Sequence, residues 1–241
     1  QTAHTAAEFP VDMAEIARIE NLEGSSARVF GSSAFNGAIN IVTKREKRTG
    51  ARLSAEGGSF GTWGVNGRVS VATGAVTNSV SGGYRQSDGG TLHSDFKRRQ
   101  MFYQGDLASQ HINLQWQVGL SSQDFGANTF YSAKFNDQFE ATRRYLTSLS
   151  GTIKPFDTDW LTLVPQLYWH RDYDHYQLIR GKEGAAAGEN YHRTDVYGGG
   201  LTANLRWLLG TTSVGADIRR EHIVSTAYGD ELSEDEWITI S

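Results

Sequence analysis

Apolar and polar side chains alternate with a period of two residues through most of the sequence after residue 50. The clearest stretch is 111–121, in which Ile112, Leu114, Trp116, Val118 and Leu120 alternate with polar residues. Because successive side chains of a β-strand point to opposite faces, this pattern predicts strands with one apolar and one polar face. It predicts roughly nine strands of roughly ten residues, at 51–55, 63–71, 76–84, 101–107, 112–120, 145–153, 161–169, 197–207 and 214–218.

The connections between these predicted strands alternate in length. Short connections fall at 73–75, 109–110, 155–158 and 209–211, and long ones at 86–97, 123–141, 174–191 and after 226. Tight turns at one end and long loops at the other are typical of barrels in bacterial outer membranes. A water-soluble sandwich has no reason to sort its loops in this way. We therefore predict an all-β chain of antiparallel transmembrane β-barrel strands, forming part of a barrel wall.

The two faces of the predicted strands support a membrane setting. Aromatic residues lie near the ends of the apolar faces, as expected for rings at the depth of the lipid headgroups, and the opposite faces carry Gln, Asn, Ser, Arg and His. These aromatic residues are Trp63, Tyr84, Trp160, Trp169 and Trp207. Pro165 and Asn78 fall on the apolar face against the pattern, and we expect a local bulge or register change at Pro165.

Composition excludes several classes of protein. The net charge is −4, so a general attraction to nucleic acid is not expected. No cysteine is present, which excludes disulfide frameworks, thiolate metal sites and cysteine nucleophiles. The mean hydropathy of −0.47 would suggest a soluble protein. Alternation, however, hides an apolar band from any running average.

The first 48 residues follow a different pattern. They contain an acidic, helical-looking stretch at 8–18, a strand-like stretch at 16–23, glycines that permit turns at Gly31 and Gly37, and an apolar run at 38–43. The charged cluster 44–48 marks the expected boundary. We therefore predict two domains, 1–48 and 49–241.

Three segments of this first region carry a family resemblance. IARIENLEG at 16–24, SARVFGS at 26–32 and GAINIVTK at 37–44 together resemble the end of the plug domain of TonB-dependent outer-membrane receptors. Ser25 stands where that family usually has Pro, and Phe30 where Tyr is common. Arg18 and Glu20 alternate onto one face, where we expect them to pair with charges on the barrel wall.

The resemblance implies a barrel of about 22 strands closed around a plug, in the outer membrane of a Gram-negative bacterium. This chain would supply the C-terminal part of a small α+β plug domain (1–48) and the first roughly nine strands (49–241). The family's energy-coupling box would lie upstream. The segments 125–131, 167–172 and 190–195 are similar to cobalamin receptors, which implies a corrinoid ligand such as vitamin B12. A ferric siderophore or a glycan is the alternative. A non-transporting adhesin or structural barrel is the rival from another class.

Candidate binding residues lie in two places. The resemblance aligns Gln1, Thr2, His4 and Thr5 with a plug loop that approaches the ligand, and a frayed terminus is the alternative explanation. Asn128, Phe130 and Tyr131 in a predicted long loop combine an amide with amphipathic aromatic rings, which is common in binding surfaces.

Metal binding and catalysis have weaker support in the sequence. His170, Asp172 and Asp174 would share one strand face and could offer oxygen and nitrogen ligands, but a polar lumen is the preferred explanation because no fixed ligand spacing is met. No resident cofactor is expected, although acidic loop residues could bind calcium; these are Asp88, Asp95, Glu183, Asp230, Glu231 and Asp235. No Gly-x-Ser-x-Gly or His-Glu-x-x-His motif occurs, so an enzyme is not expected. The implied partners are outer-membrane lipid, the imported ligand, the inner-membrane TonB complex and a surface lipoprotein.

Overall fold

A computed structural model describes residue 11 and residues 15–22, 38–45, 48–226 and 232–240. These residues form two antiparallel sheets. The first sheet pairs β1 (Ile16–Leu22) with β2 (Ala38–Thr43). The second has ten strands: β3 (Gly50–Gly57), β4 (Trp63–Thr73), β5 (Val76–Ser87), β6 (Phe96–Ala108), β7 (Ile112–Asn128), β8 (Gln138–Ile153), β9 (Leu161–Gln177), β10 (Glu189–Trp207), β11 (Gly210–Ser225) and β12 (Leu232–Ile240).

The ten strands lie side by side in chain order, and each pairs antiparallel with the next. The all-β prediction is confirmed, and all nine predicted strands are present. The predicted number and length were wrong in two respects. β12 is a tenth strand in a segment that we expected to be an acidic loop, and β6 to β11 have 13 to 19 residues each.

Burial in the large sheet is the reverse of that in a soluble domain. Among the described residues, the buried apolar side chains are Val11, Phe102, Ala127 and Val196. Leu53 is 78% exposed, Leu167 57% and Ile218 55%. A contiguous apolar surface of this kind needs an apolar partner. The register explains its continuity, because residues of the apolar face stand directly opposite one another, as Val80, Tyr103 and Val118 do.

Connections sort by end of the sheet, as predicted. At one end, called the turn end, they are 74–75, 109–111, 154–160 and 208–209; at the other, called the loop end, they include 58–62, 88–95, 129–137 and 178–188. Gly74 has a φ of 59° in the two-residue turn between β4 and β5, a conformation that hairpins of this length require and glycine accepts without strain. The connection 154–160 is longer than expected.

The two residues that broke the pattern fit without a bulge. Asn78 lies on the apolar face, where its Oδ1 accepts a hydrogen bond from the Tyr103 hydroxyl at 2.8 Å. At Pro165 the expected register change is wrong. Ser150 pairs with Gln166 and Ile153 with Leu163, so β8 and β9 keep one register on both sides of an unpaired gap. Proline has no N–H to donate, and the ladder simply skips it.

The predicted helix at 8–18 is wrong where the structure describes it, because Ile16 to Arg18 belong to β1. In this strand Arg18 Nε contacts Glu20 Oε1 at 2.5 Å, so these two predicted partners of the wall pair with each other. Within the described ranges, no helix is long and apolar enough to span a membrane.

Candidate functional site

Thr43 and Lys44 contact one face of the ten-stranded sheet, which we call the inner face. The Thr43 hydroxyl donates to Gln104 Oε1 at 2.7 Å, and Gln104 Nε2 donates to the Lys44 carbonyl at 3.1 Å. Gln117 Nε2 donates to Thr43 Oγ1 at 3.0 Å. Gln104 is only 2% exposed. The end of β2 is therefore attached to the inner face by polar side chains.

A buried ion pair lies close to this attachment. Arg68 on β4 pairs with Glu15, and their side chains are 7% and 3% exposed. The Arg68 guanidinium also donates to Ser70 at 3.4 Å and Ser79 at 3.3 Å. Two buried charges are tolerated when they pair and have further hydrogen bonds. Glu15, directly before β1, is thus held to the large sheet by charge, and the end of β2 by hydrogen bonds.

A second polar cluster lies on the inner face toward the loop end, and we call it the lumenal patch. Arg144 on β8 pairs with Asp172 on β9, and Arg219 pairs with Glu221 on β11. His170 and Asp174 project on the same face as Asp172, because they are two residues away along β9. The patch therefore presents charges of both signs on the inner face.

The predicted loop residues lie further toward the loop end than this patch. Asn128 ends β7 with a φ of 46°, and its backbone N–H donates to the His93 carbonyl at 3.1 Å. The Tyr131 hydroxyl donates to Glu140, and its ring packs edge-on against Tyr176 at 5.2 Å. Phe130 is 67% exposed. The loop is therefore tied down around Tyr131 and offers Phe130 to the solvent.

Gln138, the first residue of β8, holds the same loop by hydrogen bonds. It is fully buried, and its Nε2 donates to the carbonyls of Ser132 at 2.8 Å and Phe135 at 2.6 Å. Sequence reasoning missed this residue, because it placed 138 inside the loop rather than at the start of β8.

Other predicted candidates lie apart or outside the described residues. Gln1, Thr2, His4 and Thr5, as well as Asp230 and Glu231, are outside them, and Asp235 lies within β12. His170, Asp172 and Asp174 do share one face. However, Asp172 is engaged by Arg144, and among the described residues no group of three His, Asp or Glu side chains could hold a metal ion.

Two long loops are joined by an ion pair between Asp95 and Arg180, which we call the loop clasp. Arg180 Nη1 and Nη2 contact the two Asp95 carboxylate oxygens at 2.8 and 3.0 Å. The guanidinium lies 4.7 Å from the centre of the Phe139 ring. Hydrogen bonding from Arg180 holds the pKa of Asp95 below its ordinary value. Asp95, one of the acidic loop residues considered as calcium ligands, is thus paired with the Arg180 guanidinium.

The anchoring residues were not singled out by the sequence. Glu15 stood in a stretch predicted as helix, and Arg68 and Gln104 were ordinary members of polar strand faces. The signal that was present is the mixture of charged residues and glutamines on the polar faces, which indicates a surface that binds something polar. The sequence does not show which of these polar residues contact the N-terminal region, because such contacts join residues far apart in the chain, such as Thr43 and Gln104.

Comparison with known proteins shows the fold. No protein-family model matches the sequence. The siderophore receptor PirA from Pseudomonas aeruginosa is 18% identical, with a TM-score of 0.69 over 94% of this chain and 39% of that one. The copper transporter OprC is 16% identical, with a TM-score of 0.68 over 90% and 36%. The unliganded ferric citrate transporter FecA is 14% identical, with a TM-score of 0.67 over 95% and 36%.

The chain therefore has the fold of a part of these proteins, and it spans about two fifths of the length of the first of them. Its ten-stranded sheet corresponds to a partial antiparallel β-barrel wall.

Proposed function

We propose that this chain is part of a TonB-dependent receptor of a Gram-negative outer membrane, and that the receptor imports a scarce nutrient. The observation that carries the proposal is the combination of an exposed apolar outer face with a polar inner face to which Glu15 and Thr43 are attached. A barrel in lipid with a plugged, wet lumen requires this combination. A passive adhesin or structural barrel has no need of an inserted segment.

The polar character of the attachment suits transport. Hydrogen bonds between Thr43, Gln104 and Gln117 can be exchanged for bonds to water at little net cost. An apolar interface of the same size would resist separation. We expect residues 1–48 to act as the C-terminal part of the plug and to move away from the inner face when the TonB complex acts. The proposed sequence is capture of ligand at the loop end, followed by this displacement.

Chelated metals are the ligand class that we favour, with a ferric siderophore first. The similar structures are described as a siderophore receptor, a copper transporter and a ferric citrate transporter. The lumenal patch offers charges of both signs, and Phe130 offers an exposed ring, which suits a polar chelate with organic rings.

A corrinoid is the second candidate ligand. Three segments resemble cobalamin receptors: 125–131 lies at the loop end of β7 and in the loop after it, 190–195 in the loop-end half of β10, and 167–172 across the middle of β9. A calcium ion at the loops and a surface lipoprotein remain predictions, and catalysis is not part of the proposal.

Titration of the full-length protein in detergent tests the ligand class. We expect a ferric siderophore to quench the tryptophan fluorescence, and the quenching to saturate at a stoichiometric amount of ligand. The Phe130→Ala variant should bind the ligand more weakly. Phe156→Ala is the matched control, because Phe156 is also exposed, at 48%, but lies in a turn-end connection. Binding of cyanocobalamin alone would overturn the chelate assignment and favour the corrinoid. Binding of neither ligand by a correctly folded barrel would favour the adhesin.

A further inference from the structure

Four arginines form a belt across the outer face, near the loop end. Arg99, Arg143 and Arg193 occupy one row of directly opposed residues, separated by Ser122 and Tyr173. Because neighbouring strands are about 4.8 Å apart, the Cα atoms of successive arginines lie about 10 Å apart. Arg171 lies one row closer to the turn end. We call these four residues the arginine belt.

The belt has an excess of positive charge. The belt occupies two rows of the outer face, the row of Arg193 and the row of Arg171. Among the described residues of β5 to β10, Asp195 is the only carboxylate in these rows. It contacts Arg171 at 2.6 Å and Arg193 at 3.5 Å. Arg99 and Arg143 are exposed. Four cations against one anion leave a charge of +3 on a chain whose net charge is −4. On β11 these two rows hold His222 and Val224, and Arg220 lies one row closer to the turn end.

An apolar groove begins directly below the belt. It has a volume of about 730 Å³ and lies on the outer face between Trp116 on β7 and Tyr197 on β10. Thr147 and Gly199 contribute little side chain and keep it open. A Cβ on Gly199 would lie 2.7 Å from Leu167 Cδ2. The larger side chains around it are Leu149, Leu167, Trp169 and Ile218.

We propose that the arginine belt and this groove bind one phosphorylated lipid, with its phosphates on Arg143 and Arg193 and an acyl chain in the groove. Arginine on a lipid-facing surface is costly except at headgroup depth. The Trp169 and Tyr197 rings, 6.5 Å apart, lie between the belt and the apolar residues, which is the depth expected of interfacial aromatics. The inference rests on the proposed placement in an outer membrane and not on the identity of the imported ligand.

Native mass spectrometry of the full-length protein, delipidated in detergent and titrated with lipid A, tests the site. We expect lipid A with both phosphates to bind, and the double variant R143Q/R193Q to bind it about 30-fold more weakly, since each arginine near an anionic headgroup contributes roughly a factor of five. Arg206→Gln is the control: Arg206 is exposed and on the same strand as Arg193, but it lies near the turn end and on the inner face. Thr147→Phe, which fills the groove, should weaken binding of the acylated lipid while leaving the belt intact.

Several results would overturn the proposal. Equal binding of lipid A and its fully dephosphorylated form would eliminate the belt as the site, as would equal losses in R143Q/R193Q and R206Q. Unchanged binding by the Thr147→Phe variant would eliminate the groove. Each variant must first show the heat-resistant electrophoretic migration of a closed barrel. A protein that stays dispersed without detergent would overturn the membrane placement itself. A barrel that requires detergent but does not bind lipid A would overturn the lipid site alone.

Discussion

Replacing Glu15 by Gln should loosen the N-terminal segment from the wall. The change leaves the Arg68 guanidinium buried without its counter-charge, and removing one partner of a buried ion pair costs about 3–5 kcal/mol. The hydrogen bonds to Ser70 and Ser79 remain, but at 3.4 and 3.3 Å they are long and their acceptors are neutral. We therefore take the lower end of the range, about 3 kcal/mol, which is about 160-fold in the opening equilibrium.

The sequence offers a clean way to measure this opening. It contains no cysteine, so Ser81→Cys introduces the only thiol of this chain. Ser81 stands opposite Arg68 on the inner face and is 4% exposed. Because Glu15 contacts the Arg68 opposite Ser81, we expect the rate of maleimide labelling to report how often Glu15 leaves the inner face, provided that reclosing is fast. We expect the Glu15→Gln variant to label about 160-fold faster.

A matched control uses an exposed ion pair. Glu56 contacts Arg85 at 2.7 Å, but the two side chains are 54% and 53% exposed, so Glu56→Gln should change labelling by no more than about fivefold. Adding Arg68→Gln to the Glu15 variant removes the stranded charge and should reverse most of the acceleration. Equal labelling rates in the Glu15 and Glu56 variants would refute the reasoning, because the pair would then not hold the segment.

Three further predictions concern the loops and the wall. Arg180→Ala should open the loop clasp and speed proteolysis of 178–188. The wild-type protein should show the same effect in acid, because the pKa of Asp95 is lowered in the folded state. The stabilising contribution of Asp95 is therefore complete above its ordinary pKa of 3.8 and is lost as the pH falls below that value. Pro165→Val supplies the missing donor opposite β8 and should raise the free energy of unfolding by about 1 kcal/mol, measured by thermal unfolding. Gly105→Ala would place a Cβ 2.0 Å from the Trp116 ring and should cost about 1–3 kcal/mol, whereas Gly57→Ala, with open space around it, should be neutral.

The sequence predicted the turn-end halves of the strands better than the loop-end halves, for a physical reason. Where one face meets an apolar medium, alternation is strong, as at 112–120. Toward the loop end both faces are polar: residues 170–177 read HRDYDHYQ, and a run of this kind resembles a loop although it belongs to β9. β12 was missed for the same reason, because its sequence contains the acidic run EDE at 234–236.

The candidate site was predicted only in its outline. Asn128, Phe130 and Tyr131 were selected because aromatic residues in a long loop are conspicuous, and Tyr131 does contact inner-face residues of β8 and β9, Glu140 and Tyr176. Glu15 and Gln104 could not be selected in the same way, since each is one polar residue among many on a polar face. Their importance arises from contacts between segments distant in the chain, which a single sequence does not specify.

The edges of the large sheet bear on what surrounds this chain. β3 and β12 each pair with one neighbour only among the described strands, and every residue of β3 is exposed. In water such edges invite aggregation, and in a bilayer each unpaired backbone group costs several kcal/mol. On the proposed placement in an outer membrane, the exposed apolar face lies against lipid, and both edges must then be paired. We therefore expect β3 and β12 to join further strands in the functional protein, which accords with a chain that matches 36–39% of three barrel proteins.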